Sequence, residues 1–260
     1  MKIIDFHTHI YPKKVAQKAT ENICSFYGIT TCFTGVSETL LEVGKEAGIA
    51  QFVLLPIATK PEQTRSANEF VLREVREHPE FLGFGTLHAE TKNPFDEIDY
   101  IESSGLKGIK LHPDAQGFPM DDARMLPIYD RLQGRLPVLV HCGDPRYDYS
   151  HPARVRRILD MFPNLQIIAA HLGGWDMFDV AYEYLRDTNC WFDLSSSIMY
   201  LSPEKTREYL SGYGADRILF GTDFPVWDPR KEVKTFLNLD LSPEEMEKIA
   251  FRNAEAILGI

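Results

Sequence analysis

The sequence predicts a (β/α)₈ TIM barrel, an α/β fold in which one domain takes up residues 1–260. Three observations lead there. Eight short apolar runs recur: Lys2–His9, Gln51–Ala58, Phe81–His88, Lys107–His112, Pro137–Cys142, Gln166–His171, Cys190–Ser195 and Arg217–Phe224. Several are almost continuously hydrophobic (FVLLPIA, PVLVHC, IIAAH), as parallel strands covered on both faces must be. After the first interval the run ends lie roughly 24 to 30 residues apart, room for one strand and one helix each. A doubly wound open sheet is the rival fold. No G-x-G-x-x-G or G-x-x-x-x-G-K-S/T turn follows any run, which speaks against it.

The first run begins within MKIIDFHTHI, which places Asp and His where a secretory leader needs unbroken apolar sequence, so a cytoplasmic protein is expected. The wide interval from Tyr11 to Ala50 leaves room for an extra loop or short helix over the barrel mouth. After the second run, Glu62–Glu77 gathers Ala67, Phe70, Val71 and Val75 near one helical face, with charges elsewhere. The last helix starts at Ser242-Pro243-Glu244-Glu245, which combines an N-cap, a proline in the first turn and a capping-box Glu. Its apolar positions, Met246, Ile249, Ala250, Ile257 and Leu258, are set to pack on the barrel wall.

Composition excludes some functions. Lys and Arg number 28 against 38 Asp and Glu, a formal charge of -10, so no basic surplus exists to neutralise a phosphate backbone and no nucleic-acid partner is expected. No run approaches a membrane-spanning helix of about 20 apolar residues. The four cysteines form no C-x-x-C pair and read as reduced thiols. Cys142, beside His141, is expected to be a core thiol rather than a ligand.

The chemistry concentrates at the run ends. Alternation along Asp5-Phe6-His7-Thr8-His9 puts both histidines on one strand face, where two imidazoles can grip one ion. His141 and His171 close the fifth and sixth runs, each followed by glycine, and Asp223 closes the eighth. A carboxylate there is costly without a partner, and a metal is the partner that four rim histidines suggest. Three imidazoles (His7, His9, His141) and Asp223 suit one divalent ion, expected to be Zn²⁺, with room for water. The ion would bring that water's pKa towards 7, with His171 as proton shuttle and Asp223 holding the attacking water.

Taken in order, His7-Thr8-His9, Gly108-Ile109-Lys110-Leu111-His112-Pro113, Val140-His141-Cys142-Gly143, Ala170-His171-Leu172-Gly173-Gly174 and Gly221-Thr222-Asp223-Phe224-Pro225 resemble the amidohydrolase superfamily. More narrowly the chain resembles its amidohydrolase-related branch, nearly from end to end. The resemblance implies the same metal ligands, His7, His9, His141 and Asp223. It also implies that the sixth-run histidine activates water or binds a second ion. Lys110 stands near the place where two-metal members carry a carboxylated lysine; the plainer role is an ammonium that pairs with Asp223 or a substrate carboxylate.

The function expected first is hydrolysis of an amide, lactone or ester of a small molecule by metal-activated water. The alternative is a non-oxidative decarboxylase or hydratase acting on an unsaturated or aromatic acid, which would need a cationic clamp from Lys110, Arg146 or Arg230. A nuclease of the TatD type shares the length and the H-x-H start, but its strand-borne Glu ligand has no equivalent here. A barrel that binds a ligand without catalysis is disfavoured by the complete ligand set. Substrate contacts are expected from Lys110, His112 and Trp175, and Trp227 and His88 could border the pocket. Asp193 and Ser195 read as substrate contacts or helix caps. A homo-oligomer is left open.

Overall fold

The computed structural model describes all 260 residues, and its parallel strands follow the predicted runs in order. Strand β1 (Ile4–Thr8) pairs with β2 (Gln51–Leu54), which pairs with β3 (Phe81–Gly83). A second ladder runs β4 (Gly85–Thr86), β5 (Ile109–Leu111), β6 (Val138–Val140), β7 (Ile167–Ala169), β8 (Trp191–Asp193) and β9 (Ile218–Leu219). The third predicted run is therefore two strands. At Phe84 the chain changes neighbours: its N–H bonds the Leu54 carbonyl, while that of Gly85 bonds Gly108. The two halves act as one stave of an eight-stave ring.

The ring closes between its first and last staves. Phe6 N–H donates to the Phe220 carbonyl at 2.8 Å, Asp223 N–H to His7 at 2.8 Å, and His9 N–H to Phe224 at 2.7 Å. The N-terminal half of the barrel is filled by apolar side chains, including Phe6, Val53, Phe84, Leu139, Ile168 and Leu219, and the final helical turn adds Ala254, Ile257 and Leu258. Inward residues alternate with outward ones such as Ile109, Val140 and Ile218, which pack under the helices.

Between Asp5 and Thr8 the pairing with β2 slips by one residue, a bulge in β1. Such a bulge breaks strict alternation. It lets Phe6 stay in the apolar filling while His7 turns to the polar rim. Gly221 makes this packing fit: a Cβ there would lie 2.9 Å from that of His7.

The interval Tyr11–Ala50 holds more than a short helix. Helix Lys13–Tyr27 precedes helix Ser37–Ala47, and only the second packs in the ordinary outer ring, against helix Pro229–Leu237. The predicted Glu62–Glu77 segment is a 3₁₀ turn, Pro61–Gln63, leading into helix Thr64–Glu77. The capping box of Ser242 and Glu245 forms as predicted, and Ile249 and Ala250 are fully buried.

Candidate metal centre

At the C-terminal rim, apolar filling gives way to buried polar groups. His7 leaves β1 with its Nδ1 against Asp193 Oδ2 at 2.9 Å, and His9 turns its Nδ1 to the Leu55 carbonyl at 2.7 Å. Each Nδ1 must donate, so in the neutral form of both rings Nε2 is bare. Those two nitrogens face each other at 3.2 Å, with Asp223 Oδ1 at 3.6 Å from one and 3.5 Å from the other. Three lone-pair donors this close repel unless cations compensate them, and Lys110 Nζ, 3.2 Å from His7 Nε2, touches only one of the three. The donor types, two imidazoles and a carboxylate, fit a divalent ion such as Zn²⁺ or Mn²⁺.

Two neighbours hold this trio in place. Asp193 is fully buried; burial alone would raise its pKa, but His7 and His171 more than offset that and hold it at about 2. It is the carboxylate behind a prospective metal-binding imidazole, which fixes tautomer and ring orientation. Asp223 has φ 60°, a left-handed conformation costly for a residue with a Cβ, and its Oδ2 accepts from Ser196 Oγ at 2.6 Å. His171 and Ser196 also have positive φ, 59° and 48°. Backbone strain thus gathers where β7, β8 and β9 deliver their side chains.

His141 and His171 form a second pair beside the trio. His171 Nδ1 lies 3.0 Å from the Ser195 carbonyl, leaving its Nε2 towards His141 Nδ1 at 3.0 Å. His141 is not within the tight trio of His7, His9 and Asp223; its donors group instead with His112 and Asp114. Its buried Nε2 has no hydrogen-bond partner and points at Asp114 Oδ2, 3.8 Å away. The His112 ring stacks on it at 4.0 Å.

Lys110 is fully buried, and its Nζ sits 3.2 Å from His7 Nε2. Burial lowers its pKa to about 8 against the pull of Asp193 and Asp223, so the metal-free site favours the ammonium at neutral pH. His112 takes part through Nε2, 2.7 Å from the Tyr27 hydroxyl. Trp175 meets the Tyr27 ring edge-on at 5.2 Å. Lys110, His112, Trp175 and Trp227 all line a cavity of about 680 Å³ that opens above the trio. His88 does not line it; its Nε2 turns to the Gln116 carbonyl.

The two arginines considered as carboxylate clamps are engaged elsewhere. In Asp144-Pro145-Arg146 and Asp228-Pro229-Arg230 each guanidinium grips the aspartate two residues earlier through both Nε and Nη2, and neither lines the cavity. Asp193 and Ser195 hold His7 and His171 rather than substrate or a helix end. Tyr27 was not anticipated at all. It arrives on a helix outside the strand–helix repeat, and no spacing rule reaches it.

A parallel eight-stave barrel with a histidine and aspartate donor cluster at its C-terminal rim defines a metal-dependent TIM-barrel enzyme. The chain belongs to the amidohydrolase family Amidohydro_2, whose model matches residues 4–260. It is similar to Decarboxylase orsB of Emericella nidulans, 29% identical over 273 residues, covering 88% of this chain and 76% of that protein. Its fold resembles 2,6-dihydroxybenzoate decarboxylase from Rhizobium, with a TM-score of 0.77 at 17% identity, covering 100% of this chain and 99% of the other. It also resembles 5-carboxyvanillate decarboxylase from Novosphingobium aromaticivorans, complexed with manganese and 4-hydroxy-3-methoxy-5-nitrobenzoic acid, with a TM-score of 0.78 at 17% identity, covering 99% of this chain and 96% of the other. No helix is long and apolar enough to cross a membrane.

Proposed function

We propose that the protein is a metal-dependent, non-oxidative decarboxylase of hydroxyaryl or related unsaturated carboxylic acids, rather than the hydrolase expected first. The observation that carries this reading is Lys110, a buried ammonium at the edge of the trio. A divalent ion held by His7 would neighbour that ammonium, and the two cations would repel in a medium of low dielectric. An anionic substrate carboxylate between them removes that repulsion, whereas a neutral ester, amide or lactone does not. The names of the similar proteins point the same way.

In this reading His7, His9 and Asp223 would hold the ion, and His141, whose buried Nε2 has no hydrogen-bond partner, would be the further ligand. One ion suffices, and Lys110 acts as an uncarboxylated ammonium. The bound ion supplies Lewis acidity that withdraws charge from the substrate's oxygen atoms. Lys110 orients the carboxylate. When the bond from carbon to the carboxylate breaks, the electron pair stays on carbon and CO₂ departs. His171 Nε2 delivers the proton that carbon needs. Its Nδ1–H is held by the Ser195 carbonyl, so a transferable proton on Nε2 makes the ring an imidazolium, and only that form can deliver it. Burial lowers the His171 pKa, so the imidazolium is disfavoured at rest, must draw its second proton from solvent, and gives that proton up readily once formed.

The test is a panel of hydroxybenzoates, lactones and anilides given to protein loaded separately with Mn²⁺ and Zn²⁺. Release of CO₂, with one deuteron incorporated at the vacated carbon in D₂O, is expected. Hydrolysis of lactones or anilides without CO₂ from any acid would overturn the reading and restore metal-activated water as the reagent.

A further inference from the structure

The cavity is larger than a single substituted ring requires. Its volume of about 680 Å³ lies within the range that encloses whole drug-sized ligands. It also has a direction. Part of its wall comes from helix Lys13–Tyr27, which contributes Val15, Ala19, Ile23 and Phe26, spaced so as to fall along one helical stripe. Helix Thr64–Glu77 contributes Ala67 and Phe70 in the same manner. These stripes border the cavity instead of sealing it, and Val15 remains 48% exposed. An amphipathic helix normally buries such a stripe. The donor trio and these stripes line one cavity, so an apolar groove adjoins the trio.

The same two stripes each bring a cation, Lys18 and Arg73, both exposed and both lining the cavity. Nearby cations are neutralised, Lys13 by Glu38 and Arg65 by Glu97. Lys18 and Arg73 make no ion pair in the structure, so the groove combines an apolar wall with two uncommitted positive charges at its solvent side.

Resting on the decarboxylase reading, we infer that the substrate carries an apolar chain of several carbons that lies in this groove, with an anionic group at its far end facing Lys18 and Arg73. The reacting carboxylate meets Lys110 at the inner end. The substrate class is therefore a long amphipathic acid with charges at both ends, and a simple hydroxybenzoate fills only the inner part.

The experiment uses the metal-loaded protein and 2-hydroxybenzoates bearing chains from methyl to heptyl, each with and without a terminal carboxylate. Decarboxylation gives kcat/KM, and calorimetry gives affinity. Each methylene that enters the groove is expected to raise kcat/KM and affinity by about two- to fourfold. The terminal carboxylate is expected to add a further gain that the double variant Lys18→Gln, Arg73→Gln removes. Ala67→Trp, placed to obstruct the groove, should flatten the chain-length dependence; circular dichroism establishes that it folds. Turnover and affinity that do not rise with chain length would overturn the inference while leaving the decarboxylase reading intact. If no member releases CO₂, that reading fails, and the affinity series still decides the groove. A groove variant that changes the oligomeric state in sedimentation, with no chain-length effect, would assign the groove to a second copy of the chain and overturn the inference.

Discussion

The two halves of the barrel interior obey opposite rules. In the N-terminal half, Phe6, Val53, Phe84, Leu139 and Leu219 pack with no polar atom to satisfy. In the C-terminal half His7, Lys110, His141, His171 and Asp193 are also buried, and their side chains bear charge or give it up. Burying apolar area stabilises the fold, whereas burying ionisable groups costs free energy unless each finds a partner. The polar half is therefore built for chemistry and is held in shape by the other.

The largest test of that division is Phe84→Ala. Phe84 sits where the third stave changes neighbours and meets the Phe6 ring edge-on at 5.7 Å. Removing it should lower the unfolding free energy by about 3–5 kcal/mol in urea titrations. Metal stoichiometry per folded molecule should not change. A loss of metal with unchanged stability would show that the halves are not separable.

Glu232, buried on the outer helix Pro229–Leu237, probes the same cost of burying an ionisable group outside the barrel interior. Burial, with Asp5 and Asp223 adding, raises its pKa to about 8, and its Oε2 has no partner. In the unfolded chain it ionises near its ordinary value of about 4.3. Between those values the folded state binds more protons, so stability is fully present below the lower value and declines as pH rises to about 8. Glu232→Gln should remove this decline. In metal-free protein we expect it to raise stability by about 1–3 kcal/mol at pH 8.5, with a smaller effect at pH 5. Parallel stability curves for the two proteins would refute this.

Asp193→Asn is the finest probe, because it keeps shape while removing the charge that faces His7, and an amide oxygen can still accept from the His171 and Ser195 N–H groups. Metal affinity measured by competition with a chelator should fall about 10- to 100-fold, with little change in urea midpoint. An unchanged affinity would mean that the tautomer of His7 is set elsewhere.

The difference between the halves also explains what could be read in the sequence. Aliphatic strands announce themselves by composition, so the eight staves and their order were legible, as were the rim positions of His7, His9 and Asp223. The break at Phe84 was not, because Phe81–His88 reads as one run while its hydrogen bonds change sides in the middle. Nor was the bulge in β1: simple alternation put His7 beside His9 but gave no account of how Phe6 stays in the apolar filling. Asp193 was ambiguous because a carboxylate at a strand end has many uses, and only its distance to His7 identifies one. Arg146 and Arg230 were misleading as free cations. The repeated Asp-Pro-Arg was the visible signal that each already had a local partner.

Helix Lys13–Tyr27 belongs to neither half. It forms no stave and lies between a strand and the outer-ring helix Ser37–Ala47, yet it sends Tyr27 to His112 and walls the cavity. Part of the cavity wall is thus an appendage, apart from the ring that holds the fold and from the rim donors. Such a division makes the enzyme adaptable. Randomising the helix's cavity-facing positions offers an engineer a route to new substrates that leaves the barrel's hydrogen-bonded ring and the trio's residues untouched.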